Sequence, residues 1–311
     1  MATTGAGGNA AEAAEAAGVT VIGLGDMGGA LAETLLRRGF AVAVWNRSAG
    51  RAEPLAAAGA AVAAEAAAAL AAAPVTVVCV ADHAATMDLL AGAGASAAAA
   101  AAGRTLVQLS TVTSAESRAL ADWAARAGAG YLDGQILSYP DDVRAGRANL
   151  VCSGPRALFD RHAALLTAMA GHALHVGDEP GAAPAFDKAH LSFAVGNYLA
   201  FLHGAAMCAR SGVDLRAWCD FNLRHVASGA VERELAVLAD QVCDRAYDAG
   251  LDASMDVWRG AIARTVEECA AAGVPPAHLA PLATLADGAV ADGRGDKELG
   301  VLFERLVAAA D

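Results

Sequence analysis

The stretch VTVIGLGDMGGALAETLLRRGFAVAVWNRS, residues 19–48, decides the fold. It opens with a short apolar, β-branched run that suits a buried strand and is too short for a helix. A glycine turn follows, then GALAETLLRRG as a helix, then AVAVWN, residues 41–46, as a second strand. Gly23-Leu24-Gly25-Asp26-Met27-Gly28 is therefore a GxGxxG set in a strand-to-helix turn. Glycines there permit the tight turn and let backbone N–H groups approach a pyrophosphate at the helix N-terminus. An ordinary glycine-rich turn is the other reading. The flanking strand and helix favour a dinucleotide site.

The end of the second strand bears on which dinucleotide binds. An NAD site commonly carries an acidic residue there, which accepts from the ribose 2′-hydroxyl. Here the strand ends in Trp45-Asn46-Arg47-Ser48, with Arg51 a turn later. No carboxylate stands there to repel a 2′-phosphate, and the guanidiniums of Arg47 and Arg51 can clamp one. Asn46 and Ser48 supply further hydrogen bonds. The pattern predicts NADPH as cofactor.

Outward from this stretch, strands alternate with helices. AAPVTVVCV (72–80), GRTLVQLS (103–110), GYLDGQIL (130–137), ANLVCSG (148–154) and HALHVG (172–177) read as strands, and SAESRALADWAARAG (114–128) as a helix. Such alternation predicts an α/β fold with a doubly wound parallel sheet, the Rossmann arrangement, over residues 19–180. A long helix over 181–210 then joins it to an all-helical domain, residues 211–311, read from LRAWCDFNLRHVA, AVERELAVLADQVCDRAYDAG, MDVWRGAIARTVEECAAAGVP and KELGVLFERLVAAA.

Composition excludes several classes of function. The chain has 311 residues, 56% hydrophobic and 18% charged, as a compact protein should. Much of the apolar share is alanine, which buries little area per residue, so a dimer would help to complete the core. A net charge of −12 argues against nucleic acid or an anionic membrane as partner. The six cysteines show no CxxC pairing, so reduced thiols in a cytoplasmic protein are expected, and no metal site. Residues 1–18 lack the basic and apolar regions of a signal peptide and are expected to form a disordered tail. Residues 191–209 are long and apolar enough to suggest a membrane span. Asn197, His203 and the lack of flanking anchors point instead to a buried interior helix.

These motifs resemble the β-hydroxyacid dehydrogenase superfamily, including its imine reductase branch. The resemblance runs through VVCVADHAA, LVQLSTVTSAESRALADWAARAGAGYLDGQIL and SGPRALFDRH, and covers residues 19–210. It implies that Val80, Ala81, Ser110 and Thr111 contact the cofactor, and that two chains form a dimer in which one helical domain completes the other's active site.

The segment GAAPAFDKAHLSFAV, residues 181–195, separates the two branches. Hydroxyacid dehydrogenases carry G-x-G-x-x-x-K there, ending in a catalytic lysine. Six residues on from Gly181 stands Asp187, with Lys188 next to it. The strand of Tyr131 continues as DGQILSYPDDV and lacks the SGG that binds a substrate carboxylate. Both departures match the imine reductases, whose lysine position is commonly aspartate or tyrosine. Chemistry agrees: a protonated imine is a cation, which a lysine repels and a carboxylate stabilises or protonates.

The resemblance therefore implies an NADPH-dependent imine reductase acting on a cyclic imine, or on a ketone plus an amine, with Asp187 as proton donor or stabilising carboxylate. Many imine reductases carry a tyrosine where Val195 stands. Tyr139 or His190 would then assist, and Trp258 would wall the pocket. Two readings stay open: a hydroxyacid dehydrogenase-like carbonyl reductase, should Lys188 face the cofactor, and a non-catalytic NADPH-binding protein.

Overall fold

The structure is a computed structural model that describes residues 18–250 and 253–308. The tail expected over residues 1–18 thus lies outside the described residues, Gly18 excepted. The chain divides into two compact units, residues 1–191 and 192–311.

In the first unit the elements alternate as β1 (Val19–Ile22), α1 (Asp26–Arg37), β2 (Val42–Trp45), α2 (Glu53–Ala57), β3 (Ala61–Val62), α3 (Ala66–Ala71) and β4 (Val75–Val78). Then come α4 (His83–Gly92), α5 (Gly94–Ala101), β5 (Thr105–Gln108), α6 (Ser114–Arg126), β6 (Gly130–Ile136), α7 (Pro140–Ala145), β7 (Ala148–Ser153), α8 (Arg156–Ala170) and β8 (Gly171–His175). The eight strands lie in the order β3-β2-β1-β4-β5-β6-β7-β8. Between β1 and β4 the chain reverses its direction of winding, and the cleft at such a switch point is where α/β sheets bind ligands.

Strands β1 to β6 pair in parallel, as the alternation predicts. Strand β7 departs from that pattern, running antiparallel to β6, with β8 parallel to β7. The cause is the short connection through α7. A parallel return needs a crossover of a dozen residues or more, which the 15-residue α8 provides between β7 and β8.

The central strands β1, β4 and β5 are buried on both faces, whereas the edge strands β3 and β8 stay exposed in part. Val19 and Val21 of β1 enter one core with Val44, Val77, Val107 and Leu132. Ile22, pointing the other way, joins Val78, Leu106, Leu120 and Tyr131 in a second. Helix α6 begins with a capping box. Thr113 Oγ1 accepts from the Glu116 N–H at 3.3 Å and Glu116 Oε2 accepts from the Thr113 N–H at 2.7 Å.

The second unit is helical: α9 (Ala182–Arg210), which carries residues of both units, then α10 (Leu215–Ala227), α11 (Ala230–Asp244), α12 (Met255–Ala272), α13 (Leu279–Ala291) and α14 (Leu302–Ala308). Its core holds Met255, Ile262, Ala286, Ala289 and Val301. Helix α13 is absent from the sequence reading because LAPLATLADGAVA mixes Pro281 and Gly288 into an alanine-rich run. Pro281 stands in the first turn, where its missing N–H has no intrahelical partner to lose.

One expectation is corrected. Helix α9 is not interior to this chain: Leu191, Phe193, Val195, Tyr198, Leu199 and Leu202 are all exposed. It is the one helix among the described residues long and apolar enough to cross a membrane, by length and composition only. His203 is buried, as a polar residue facing a core should be when satisfied, its Nε2 lying 2.8 Å from the Pro275 carbonyl.

Candidate active site and cofactor cleft

A cleft of about 1090 Å³ opens at the carboxyl ends of β1, β2 and β4. Gly23, Leu24, Gly25, Asp26, Met27 and Gly28 line one side, Asn46, Arg47, Ser48 and Arg51 another, and Val80 and Ala81 a third. Twelve of the fourteen cofactor residues expected from the sequence thus meet in one place. Ser110 stands just behind: buried, it accepts through Oγ from the Val80 N–H at 3.0 Å and so supports the lining. Thr111 is exposed and outside the lining.

The glycines fit a dinucleotide for distinct reasons. Gly23 has φ +90°, and a Cβ there would lie 2.3 Å from the Cys79 carbonyl oxygen. A Cβ on Gly28 would lie 1.9 Å from the Gly23 carbonyl oxygen, so the helix packs against the turn only without one. A Cβ on Gly25 would meet nothing closer than Arg51 Nη1 at 3.6 Å. That open space is where a pyrophosphate can approach the N–H groups of the turn.

The end of β2 does two things at once. Asn46 Oδ1 accepts from the Leu24 N–H at 2.9 Å, and Asn46 Nδ2 donates to the Ser48 carbonyl at 2.9 Å. Arg51 Nη1 donates to the Leu24 carbonyl at 3.2 Å, so part of this guanidinium is committed to the glycine turn. Arg47 is exposed and makes no hydrogen bond or ion pair among the described residues. It is free to take a phosphate. Cys79, in the lining, is pushed up to about 11 by burial, so its thiol stays neutral.

The sequence reading missed the wall made by Val62, Ala63, Ala64 and Glu65, and the rim at Asp88 and Gly92. Its signal was slight, because β3 is two residues long and sits in an alanine-rich run.

The second group of residues lies at the start of α9. Ser114 Oγ donates to the Gly181 carbonyl at 2.8 Å, while Ser117 Oγ and Ser153 Oγ donate to the Pro180 carbonyl at 2.8 and 2.6 Å. Ser153 Oγ also accepts from the Ala183 N–H at 3.0 Å. Gly181 packs closely, since a Cβ there would lie 2.9 Å from Ser114 Cβ. Three serines from two elements thus hold the first turn of the helix that carries Asp187. Asp187 Oδ2 accepts from Lys188 Nζ at 2.5 Å; the aspartate side chain is 19% exposed and the lysine 44%.

Beneath lies a buried acid that the sequence reading passed over. Asp133 accepts from the Tyr131 hydroxyl at 2.9 Å and from Gln135 Nε2 at 2.7 Å. Burial pushes its carboxyl up to about 6, against hydrogen bonds from Ser117, Gln135 and Tyr131 and the charge of Lys188. Burial, and then the Asp133 charge, raises the Tyr131 phenol. An alternation count places Asp133 inside, yet cannot tell a satisfied buried aspartate from one tuned by a neighbouring lysine.

The remaining expected site residues lie outside both groups. Tyr139 is 80% exposed before α7, its N–H held by Asp142 Oδ2. His190 and Val195 are exposed on α9. Trp258 packs against the core of the helical unit, its Nε1 buried without a hydrogen-bond partner.

A six-stranded parallel core in the order 3-2-1-4-5-6 with this glycine turn defines a dinucleotide-binding protein of the Rossmann class. The profile of the NAD binding domain of 6-phosphogluconate dehydrogenase matches residues 18–177, and that of the NADPH-dependent reductive aminase-like C-terminal domain matches residues 179–308. The chain belongs to the imine reductase and reductive aminase family, and is an NADPH-dependent oxidoreductase of that family. An NADPH-dependent reductive aminase of Aspergillus oryzae is 27% identical over 92% of this chain and 96% of its own length. An imine reductase from Myxococcus stipitatus, solved in complex with NADP+, superposes with a TM-score of 0.81 at 29% identity, covering 93% of this chain and 99% of that one. A reductive aminase from Aspergillus terreus, in complex with NADPH and ethyl levulinate, gives 0.78 at 31% identity over the same shares.

Proposed function

We propose that the protein reduces the C=N bond of a small imine or iminium, free or condensed from a ketone and an amine, with Asp187 as the acidic group of the site. The observation that carries this is Asp187 itself: a carboxylate on a helix whose first turn is clamped by Ser114, Ser117 and Ser153, where an alcohol-oxidising relative would present lysine. Bound NADPH supplies the hydride that the imine carbon receives. The chain's own residues do the rest. Arg47 and Ser48 hold the 2′-phosphate end, and the turn from Gly23 to Gly28 holds the pyrophosphate. In its acid form Asp187 protonates a neutral imine nitrogen, and the carboxylate so formed stabilises the iminium cation whose carbon accepts the hydride. Tyr139, exposed and outside the cleft, is the weaker candidate for that proton.

A second copy of the chain is the proposed cover for α9. Leu191, Tyr198 and Leu202 share one face of α9 and are all exposed, and a run of apolar side chains on one face marks an interaction surface. The net charge of −12 disfavours an anionic membrane in that role. Six free thiols support a reducing compartment such as the cytoplasm.

The test is a comparison of two assays. NADPH consumption with a small cyclic imine supports the proposal. NADP reduction with a 3-hydroxy acid and no imine turnover would favour the carbonyl-reductase reading. Tight NADPH binding with neither reaction would favour a non-catalytic binding protein.

A further inference from the structure

Lys188 presents a difficulty for Asp187. Asp187 is the only ion-pair partner of Lys188 among the described residues, and a carboxylate already neutralised by an ammonium attracts a second cation weakly. For Asp187 to hold an iminium, Lys188 must have somewhere else to go.

We propose that Asp133 is the second acceptor of the Lys188 ammonium: as substrate enters, Lys188 leaves Asp187 for Asp133, and the Asp187 carboxylate is freed for the iminium. This rests on the proposed role of Asp187. No bond is made or broken, and Lys188 keeps its three N–H protons; only the place of its charge changes.

The first turn of α9 is fastened to the strands around Asp133. Ser153, which holds Pro180 and Ala183, is the register partner of Asp133 across β6 and β7. Ser117, which also holds Pro180, lies 3.4 Å from the Tyr131 hydroxyl that donates to Asp133. Lys188 follows one turn later on the same helix, and its charge acts on Asp133.

The groups facing Asp133 are few. Tyr131 and Gln135 come from its own strand and Ser117 from α6. Cys152 comes from β7, its thiol pushed up to about 12 by burial and by the Asp133 charge and therefore neutral. Lys188 is the one cation in this set. Tyr131 and Gln135 already donate to Asp133, which steadies a buried carboxylate without neutralising it.

The experiment is a double-mutant cycle on kcat/KM for a cyclic imine, with Asp133→Asn, Lys188→Gln and the pair. Asp133→Asn alone leaves Lys188 on Asp187 and should lower kcat/KM roughly tenfold, the effect of a one-unit electrostatic change. In the Lys188→Gln background the same substitution should cost nothing measurable. An equal loss in both backgrounds means that Asp133 only supports the fold, and overturns the proposal. A second measurement needs neither imine nor the Asp133 variant. Titration of the Asp133 carboxyl by carbon NMR should show its midpoint rise from about 6 when Lys188 becomes Gln, and an unmoved midpoint overturns the proposal. A shifted midpoint in a protein that reduces no imine would retire the assigned reaction while leaving the coupling between Lys188 and Asp133 in place.

Discussion

Asn46 Oδ1 accepts a hydrogen bond from the Leu24 N–H, which ties the end of β2 to the glycine turn after β1. Arg51 grips the same residue from its carbonyl side. The end of β2 and the glycine turn are therefore mechanically joined, while Arg47 has no hydrogen-bond or ion-pair partner among the described residues.

That division separates two substitutions. Arg47→Ala should weaken NADPH binding about 10- to 100-fold, the scale of a charge-assisted contact, and leave NADH nearly unchanged. Arg51→Ala should weaken both cofactors, because it loosens a turn that both require. Fluorescence titration with each dinucleotide distinguishes them. Equal losses of NADPH and NADH in Arg47→Ala would remove that residue from phosphate recognition.

Two neighbouring glycines should behave oppositely. Gly28→Ala places a methyl against the Gly23 carbonyl oxygen and should lower the melting temperature and abolish cofactor binding. A Cβ on Gly29 meets nothing within 4 Å, and Gly29 lies inside α1. Gly29→Ala should stabilise the protein by roughly 0.5–1 kcal/mol. A stable, cofactor-binding Gly28→Ala would mean that the turn and helix pack otherwise than described.

Asp133 makes stability depend on pH. Its folded-state carboxyl is raised from 3.8 to about 6, so the folded protein holds a proton that the unfolded chain releases. The associated stability is complete below pH 3.8 and is lost as pH rises through about 6. Two units correspond to ~3 kcal/mol. Asp133→Asn removes this dependence, so urea midpoints of variant and wild type should diverge in the variant's favour between pH 4 and pH 7 on about that scale. Parallel curves over that range would contradict the assignment.

The exposed face of α9 predicts a dimer that a single charge disrupts. Leu202 is 64% exposed and Tyr198 66%. Light scattering should give twice the chain mass for wild type and a monomer for Leu202→Glu, since burying an unpaired carboxylate in an apolar contact is costly. A wild-type monomer at micromolar concentration would leave this face without its proposed cover.

Much of this was legible in the residues, for reasons that differ by element. The β-branched runs VTVI and VAVW favour strands, and a GxGxxG between strand and helix favours a dinucleotide site over an ordinary glycine turn, so most of the cleft lining could be named from the sequence. Asp187 emerged from a count beginning at Gly181, a glycine whose necessity the contact with Ser114 explains. The reversal at β7 was hidden because strand direction depends on the length and path of the connection. The exposure of α9 was hidden because apolar composition states that a surface is covered and not by what. Asp133 escaped notice because its environment comes from α6, β7 and α9, which are distant in sequence.

The most direct measurement of the central claim is steady-state NADPH oxidation by Asp187→Asn with a small cyclic imine, beside NADPH affinity measured on the same sample. The predicted result is a fall in kcat/KM of about 100-fold or more, the scale of a lost acid or electrostatic group, with NADPH affinity held within about twofold. Imine reduction at the wild-type rate in Asp187→Asn would contradict the account.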